Sequence, residues 1–515
     1  MTTNNIIVLC AFIAYMIIMI VIGFVCSKGN KNNEDYFLGG RNLGSWTAAM
    51  SAQASDMSGW LLMGLPGAVY LAGTGEAWIA VGLLIGTILN WYIVSARLRK
   101  YTIVAGNSLT IPSFFKNRYR DHKNIIKIVS ASIIAVFFTV YTASAFSSGA
   151  KLFATLFSDS ASGDENYNRV YVIGLIVAAV VILVYTFMGG FKAVCTTDLI
   201  QGLMMIVAIL TVPVLAYAIL TFDTSFSSAL AAKGVEQPAQ FLNFFVNGDG
   251  TPVSAVSIIS NLAWGLGYFG MPHILVRFMS IEKPSMIKKS SIVAIIWVVI
   301  SLFSAVMIAY FGRMIMGEEL LTHGNQKLVF IAMSRKFFPA GICGLLLAAI
   351  IAASISTADS QLLVASSSFT ADLYKPFFRK GASEKETLLV GRVLVLVLSL
   401  IAFAIANSKG SGAQAIMDMV ENAWGAFGSS FGPTILLSLF WKRFNYKGAV
   451  AGVVSGFVVD LGWLLSGLTA STGVYEIVPG FIVSFLAAYL VARFTEAPNA
   501  EAVAIFEEAT KPDAD

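Results

Sequence analysis

The chain has 515 residues, 57% of them hydrophobic and only 12% charged, with a mean hydropathy of +0.77 and a formal net charge of +5. Soluble domains carry about 25% charged residues, and even a large soluble core needs a charged surface; with repeated apolar runs of about 20 residues, this composition means a polytopic helical membrane protein. The runs are continuous rather than alternating, which excludes a β-barrel.

The first run, near residues 5–26, has no basic leader and no small-residue cleavage site, so it reads as a retained first helix. The runs that follow predict further spans near 45–71, 77–97, 125–155, 170–189, 194–222, 253–279, 289–315, 339–370, 388–408, 413–440, 447–467 and 474–495, about 13 transmembrane helices in all. Residues 316–338 are mixed in polarity and suit a surface helix. With the N-terminus outside, the cytoplasmic segments hold 26 of the 34 Lys and Arg and the outside segments 8, the asymmetry expected of an N-out, C-in chain. The longest hydrophilic loop, near 223–252, and the tail after about 496 are too short for an appended signalling domain. No GxxxxGK[ST] pattern occurs, which disfavours ATP-driven pumping.

The second span holds SDMSGWLLMGLPG (55–67), an acid and several helix breakers in one membrane segment. The seventh is interrupted too, by Gly265, Gly267, Gly270 and Pro272. Glycines also serve close helix packing. Yet paired interrupted spans at matching positions in two halves point to a transporter's midplane site. Their ordinal separation of five fits a five-helix repeat, and an odd number of helices makes the second copy inverted. Unwinding near Ser58-Gly59 frees carbonyls such as those of Ala54 and Met57, which are neutral hard oxygen ligands for a small cation. In the ninth span Ala353, Ser356 and Thr357 share one helical face. Three carbonyls and two hydroxyls then make a five-oxygen site, although Ser and Thr also bond back to their own helix.

Asp56 fits two compatible roles, capping the freed amides of the half-helix and standing ionised near a cation that favours its charged form. Asp359 is a second polar group in a possible pathway. Asp198, at the start of the sixth span, reads more plainly as a helix-end acid than as part of an exit route. Trp264 and Tyr268, four apart around the seventh-span glycines, suit a pocket wall, and the Ser58-Gly59 step can present amides to an anionic group. The four cysteines (Cys10, Cys26, Cys195, Cys343) lie in or beside apolar segments and read as buried thiols. His122, His273 and His323 are scattered, and neither a metal-site spacing nor a nucleophile with a base is present, so no enzyme chemistry is expected.

Several stretches resemble the sodium/solute symporter family: SDMSGWLLMGLPGAV (55–69), FFTVYTAS (137–144), AWGLGYFGMPHILVRFM (263–279), STADSQLLVASS (356–367), DLYK (372–375), and the signature-like SLFWKRFNYKGAVAG (438–452). The likeness runs from about residue 5 to 495. It implies an all-α, LeuT-type five-plus-five inverted repeat: an extra helix and loop in 1–44, repeat 1 in 45–222, repeat 2 in 253–440, two further helices in 441–496, and a cytoplasmic tail in 497–515. It also implies a cell-membrane protein that couples uptake of a small solute to sodium, and the 55–69 stretch narrows that solute to L-proline. Sodium would be held by Ala54, Met57, Ala353, Ser356 and Thr357, with Asp56 essential for coupling. Proline would contact Ser58, Gly59, Trp60, Tyr141, Trp264, Tyr268 and Pro272. A sodium symporter for another amino acid, an organic acid or a sialic acid is the nearer alternative, and a non-transporting receptor or a channel the more distant one. The further C-terminal helix of sugar-carrying relatives is missing from these residues, which speaks against sugar.

Overall fold

The computed structural model describes residues 3–27, 32–158, 164–220, 225–321, 324–409 and 413–511, the side chains of 27, 409 and 413–417 excepted. These residues are overwhelmingly helical, and the only β pairing among them is two isolated bridges. Each expected span falls on a helix or on a broken pair. The chain opens with α1 (Thr3–Ser27) and then the first broken pair, α2 (Ser45–Met57) and α3 (Leu65–Ala72). The third span is α4 (Trp78–Leu89) and α5 (Ser95–Val104), joined through a π turn at Asn90–Val94. The fourth is α6 (Ile125–Phe157).

The fifth and sixth spans are the two helical legs of α7 (Glu165–Ile219), which meet at a kink at Gly190 (φ 61°, ψ −163°). A straight helix of that length would run about 80 Å, far beyond a hydrocarbon core of about 30 Å. The left-handed φ at Gly190 is what allows the two legs. There is no room for a side chain: a Cβ at 190 would lie 2.6 Å from the Tyr36 ring and 2.9 Å from its carbonyl oxygen.

The second broken pair is α8 (Ala255–Ala263) and α9 (Pro272–Ser280), separated by a 3₁₀ stretch at Trp264–Phe269. Then come α10 (Ile287–Met316), α11 (Ala340–Ser368), α12 (Glu384–Lys409), α13 (Ala413–Phe440), α14 (Tyr446–Leu465) and α15 (Ile477–Phe494). A short helix, Val329–Phe337, lies in the mixed-polarity segment before α11, and the tail forms α16 (Ala500–Thr510). Arg118 donates to the Ala502 carbonyl (2.9 Å), and Arg120 and Lys442 pair with Glu501 and Glu507, which fixes this helix against the body.

Burial sorts the helices. Of the apolar window of α11, 78% is inside the protein, against 28% for α1, so α11 is the central column and α1 a peripheral helix. Ile13, Ile17 and Val21 of α1, Phe303 of α10 and Leu486 of α15 point outward, as a lipid-facing surface requires. Cys195 and Cys343 are buried as expected, but Cys10 is exposed, because it falls on the outward face of α1. His323 lies outside the described residues.

One contact joins the two broken pairs end to end. The Leu43 amide donates to the Ser280 carbonyl and the Glu282 amide to the Leu43 carbonyl, both at 3.0 Å, so the strand entering α2 runs beside the strand leaving α9. Arg41 adds a 2.6 Å bond to the Met279 carbonyl, and Arg99 one of 2.5 Å to that of Ile281. These bonds satisfy backbone groups that a membrane protein cannot leave bare.

Gly190→Ala is expected to destabilise the protein by about 1–3 kcal/mol, through the left-handed backbone and the clash with Tyr36. The check is a lowered midpoint in thermal unfolding of the detergent-solubilised protein.

Candidate functional site

The break between α2 and α3 is set by Ser58, whose φ of 47° no helix accommodates. Its hydroxyl accepts from the Trp60 amide (3.2 Å) and so caps the restart of the chain. Asp56 does not cap. Its carboxylate accepts instead from the Tyr268 hydroxyl at 2.5 Å, a charge-assisted bond from one interrupted helix to the other. Asp56 is 6% exposed and has no ion pair among the described residues.

On the far side of α2, the Ser356 hydroxyl donates to the Ala54 carbonyl (2.8 Å), and Ser356 and Thr357 both reach the Ala353 carbonyl (3.2 and 2.9 Å). Four of the five expected oxygen donors are therefore one cluster, fully buried between α2 and the central α11. Met57, the fifth, closes α2 at the break itself. The hydroxyls do bond back within α11, as ordinary Ser and Thr do, but Ser356 also crosses to the other helix.

Beside this cluster lies a small space lined by Asp56, Met57, Ser58, Trp60, Tyr141, Trp264 and Tyr268. It adjoins an outer cleft that shares Ser58 and Trp60 and adds Gly59, Gly64, Lys151 and Lys327. The expected solute residues thus meet around one opening, except Pro272. That residue lines neither space; it is the first residue of α9, where its missing N–H costs nothing.

Trp424 was not singled out by the sequence. Its indole N–H donates to the Trp264 carbonyl (2.8 Å), its ring stands edge-on to Tyr268 (5.2 Å), and it lines the inner space. The approach depends on Gly267, where a Cβ would fall 1.9 Å from the indole nitrogen. The repeated Ala-Trp-Gly at 263–265 and 423–425 was the available signal.

Asp198 needs correcting. It is not a helix-end acid but a fully buried one, because α7 runs on past Gly190 into the interior. It accepts from Ser51 (2.6 Å) and pairs with Arg277 (3.1 Å). Arg277, expected among the cytoplasmic cations, is itself fully buried, and it also donates to Ser51, Ser360 and the His273 carbonyl. One guanidinium thereby ties α9 to α2, α7 and α11. Asp359, equally buried, accepts from the Tyr185 and Ser360 hydroxyls and lines neither space.

The profile of the sodium:solute symporter family matches residues 36–456. The chain belongs to this family. The sodium/proline symporter of Staphylococcus aureus (strain JH9) is 42% identical to this symporter over 495 residues, covering 94% of the chain and 92% of the relative; that of strain NCTC 8325 / PS 47 matches to the same extent. Among solved structures, a Na+-coupled sialic acid symporter in a substrate-bound outward-open state superposes with a TM-score of 0.76 at 20% identity, covering 96% of this chain and 98% of its own. A nucleobase-cation-symport-1 family transporter, closed around bromovinylhydantoin, gives 0.53 at 12%, covering 93% and 99%. The symporter is a multi-pass membrane protein with the LeuT-type five-plus-five fold of these carriers.

Arg277→Met strands the Asp198 carboxylate in the interior and is expected to cost about 3–5 kcal/mol, whereas Arg277→Met with Asp198→Leu recovers most of that loss. A double-mutant cycle by thermal unfolding measures the difference.

Proposed function

We propose that this symporter carries L-proline into the cell by alternating access, driven by sodium, as a carrier rather than an enzyme. The observation that carries the reading is the broken α2. One side of it offers buried neutral oxygens, and the other opens onto a small aromatic space beside Asp56. The solute itself rests on the 42% identity to sodium/proline symporters over nearly the whole chain.

In this reading the carbonyls of Ala54, Met57 and Ala353 and the hydroxyls of Ser356 and Thr357 hold sodium. These are hard oxygens from two helices that the ion draws together. Asp56, linked to Tyr268, sets a negative field between the ion and the solute. Ser58, Gly59, Trp60, Tyr141, Trp264 and Tyr268 receive proline: indole and phenol rings suit the pyrrolidine, and amides at the restart of the chain suit the carboxylate. Lys151 and Lys327 in the outer cleft favour an anionic group on approach. Sodium and proline stabilise each other reciprocally, and both leave when the inner side opens.

The distribution of Lys and Arg supports a cell-membrane topology with the start of α1 outside and α16 inside. The repeats are then 45–222 and 253–440, each led by a broken helix. The driving force suffices. About 100 mV contributes roughly 2.3 kcal/mol per charge, and a tenfold sodium gradient about 1.4 kcal/mol. At one sodium per solute, together they support accumulation of several hundredfold.

Radiolabelled proline uptake into proteoliposomes is expected to require an inward sodium gradient, and uptake indifferent to sodium overturns the coupling. Ser356→Ala or Thr357→Ala is expected to raise the half-saturating sodium concentration about tenfold or more, equal to about 1.4 kcal/mol of lost ion binding. Asp56→Asn is expected to abolish sodium-dependent accumulation while the protein remains folded by circular dichroism.

A further inference from the structure

Two carboxylates outside the site just described have no evident use. Asp460 on α14 and Glu476, immediately before α15, are each 1% exposed. Ser429 of α13 donates to Asp460 Oδ1 (3.0 Å) and Thr469 to Glu476 Oε2 (2.8 Å). The remaining oxygen of Glu476, Oε1, is buried with no hydrogen-bond partner. Both carboxylates border Gly425: a Cβ built there would lie 2.8 Å from Asp460 Oδ1 and 3.5 Å from Glu476 Oε1. Only a glycine leaves that space to the two acids.

No base balances them. Neither acid takes part in an ion pair among the described residues. The titratable groups that face them are Glu421 and Asp418 on α13 and Tyr475 beside Glu476, with Tyr141 of α6 beyond Tyr475. These are further acids and phenols. Two ionised carboxylates in so dry a place repel each other, and each loses its hydration. One proton removes both penalties at once, and it gives the orphan Oε1 the donor that it lacks.

We propose that Asp460 and Glu476 share a single proton and form a proton-binding site at the outer end of α13, α14 and α15, separate from the sodium oxygens. The site communicates with the solute space by contact. Tyr475, the next residue, stacks on Trp264 with ring centroids 5.2 Å apart, and its hydroxyl bonds the Glu421 carbonyl of α13 (2.9 Å). Losing the proton restores repulsion between α14 and the start of α15, and Tyr475 carries that strain to the wall of the pocket. The outer position of this site, and its link to a solute space, rest on the topology and function proposed above.

Infrared difference spectroscopy of the full chain in liposomes, between acid and alkaline buffers, reads the proton directly. The expected result is a protonated-carboxyl C=O band that titrates in the wild type and is lost in both Asp460→Asn and Glu476→Gln. In either variant the new amide N–H serves the remaining carboxylate, so no shared proton is needed. If one variant fails to fold, the other still decides. A band kept in both variants, or absent from the wild type, overturns the proposal. So does a band that appears only when sodium is replaced by a large organic cation, since the pair then holds a metal cation. Proline uptake in the same vesicles is a separate readout. Its absence counts against the transport reading, while the band still decides the proton site.

Discussion

Backbone that leaves the helix inside a membrane must find its hydrogen bonds within the protein, and the structure is organised around meeting that demand twice. The first interruption, at Ser58, uses its own hydroxyl to cap the restart. The second, at Trp264–Phe269, gives a carbonyl to the Trp424 indole. The first solution is local, and the second reaches across to α13. The two interruptions are joined through Asp56 and Tyr268, and the segments flanking them through the Leu43–Ile281 bridge. The irregular backbone is tolerable because it is enclosed by protein instead of lipid. The central α11 contributes to the same end, since its Ser356 hydroxyl donates to the Ala54 carbonyl of α2.

Much of this was legible from residue order alone, for physical reasons. A charge in a membrane segment next to Ser-Gly is costly unless it is used, and so Asp56 and the break stood out together. The spacing of Ala353, Ser356 and Thr357 is helical geometry, which needs no tertiary information. What escaped notice depends on partners far away in sequence. Asp198 reads as a helix-end acid because it lies close to the start of the sixth span; in the structure the second leg of α7, beyond the Gly190 kink, carries it inside to Arg277. Arg277 looked like a cytoplasmic cation because charge counting assumes that basic residues near span ends are wet. Pro272 carries the helical restart, a role that a motif cannot distinguish from contact with a ligand.

The two spaces around Trp60 are enclosed by side chains from several helices. The inner one is bounded by rings held by contacts from other segments: Trp264 by Trp424 and Tyr475, and Tyr268 by Asp56. Walls fixed in this way are set before anything binds, which favours discrimination by shape over adaptation. Gly267 makes the same point from the other side, since the Trp424 indole fits against the chain only where there is no side chain.

Arg277 has a consequence of its own. It touches α2, α7 and α11 from α9, and both its charge and that of Asp198 are sealed from solvent. If these helices parted dry, two bare ions would be left in a medium of low dielectric, a far greater penalty than the loss of the contacts themselves. Separation and hydration must therefore be one event, with water arriving as the gap forms. The rate of parting on that side is then governed by wetting, in the manner of a crack that advances only as fast as liquid fills it.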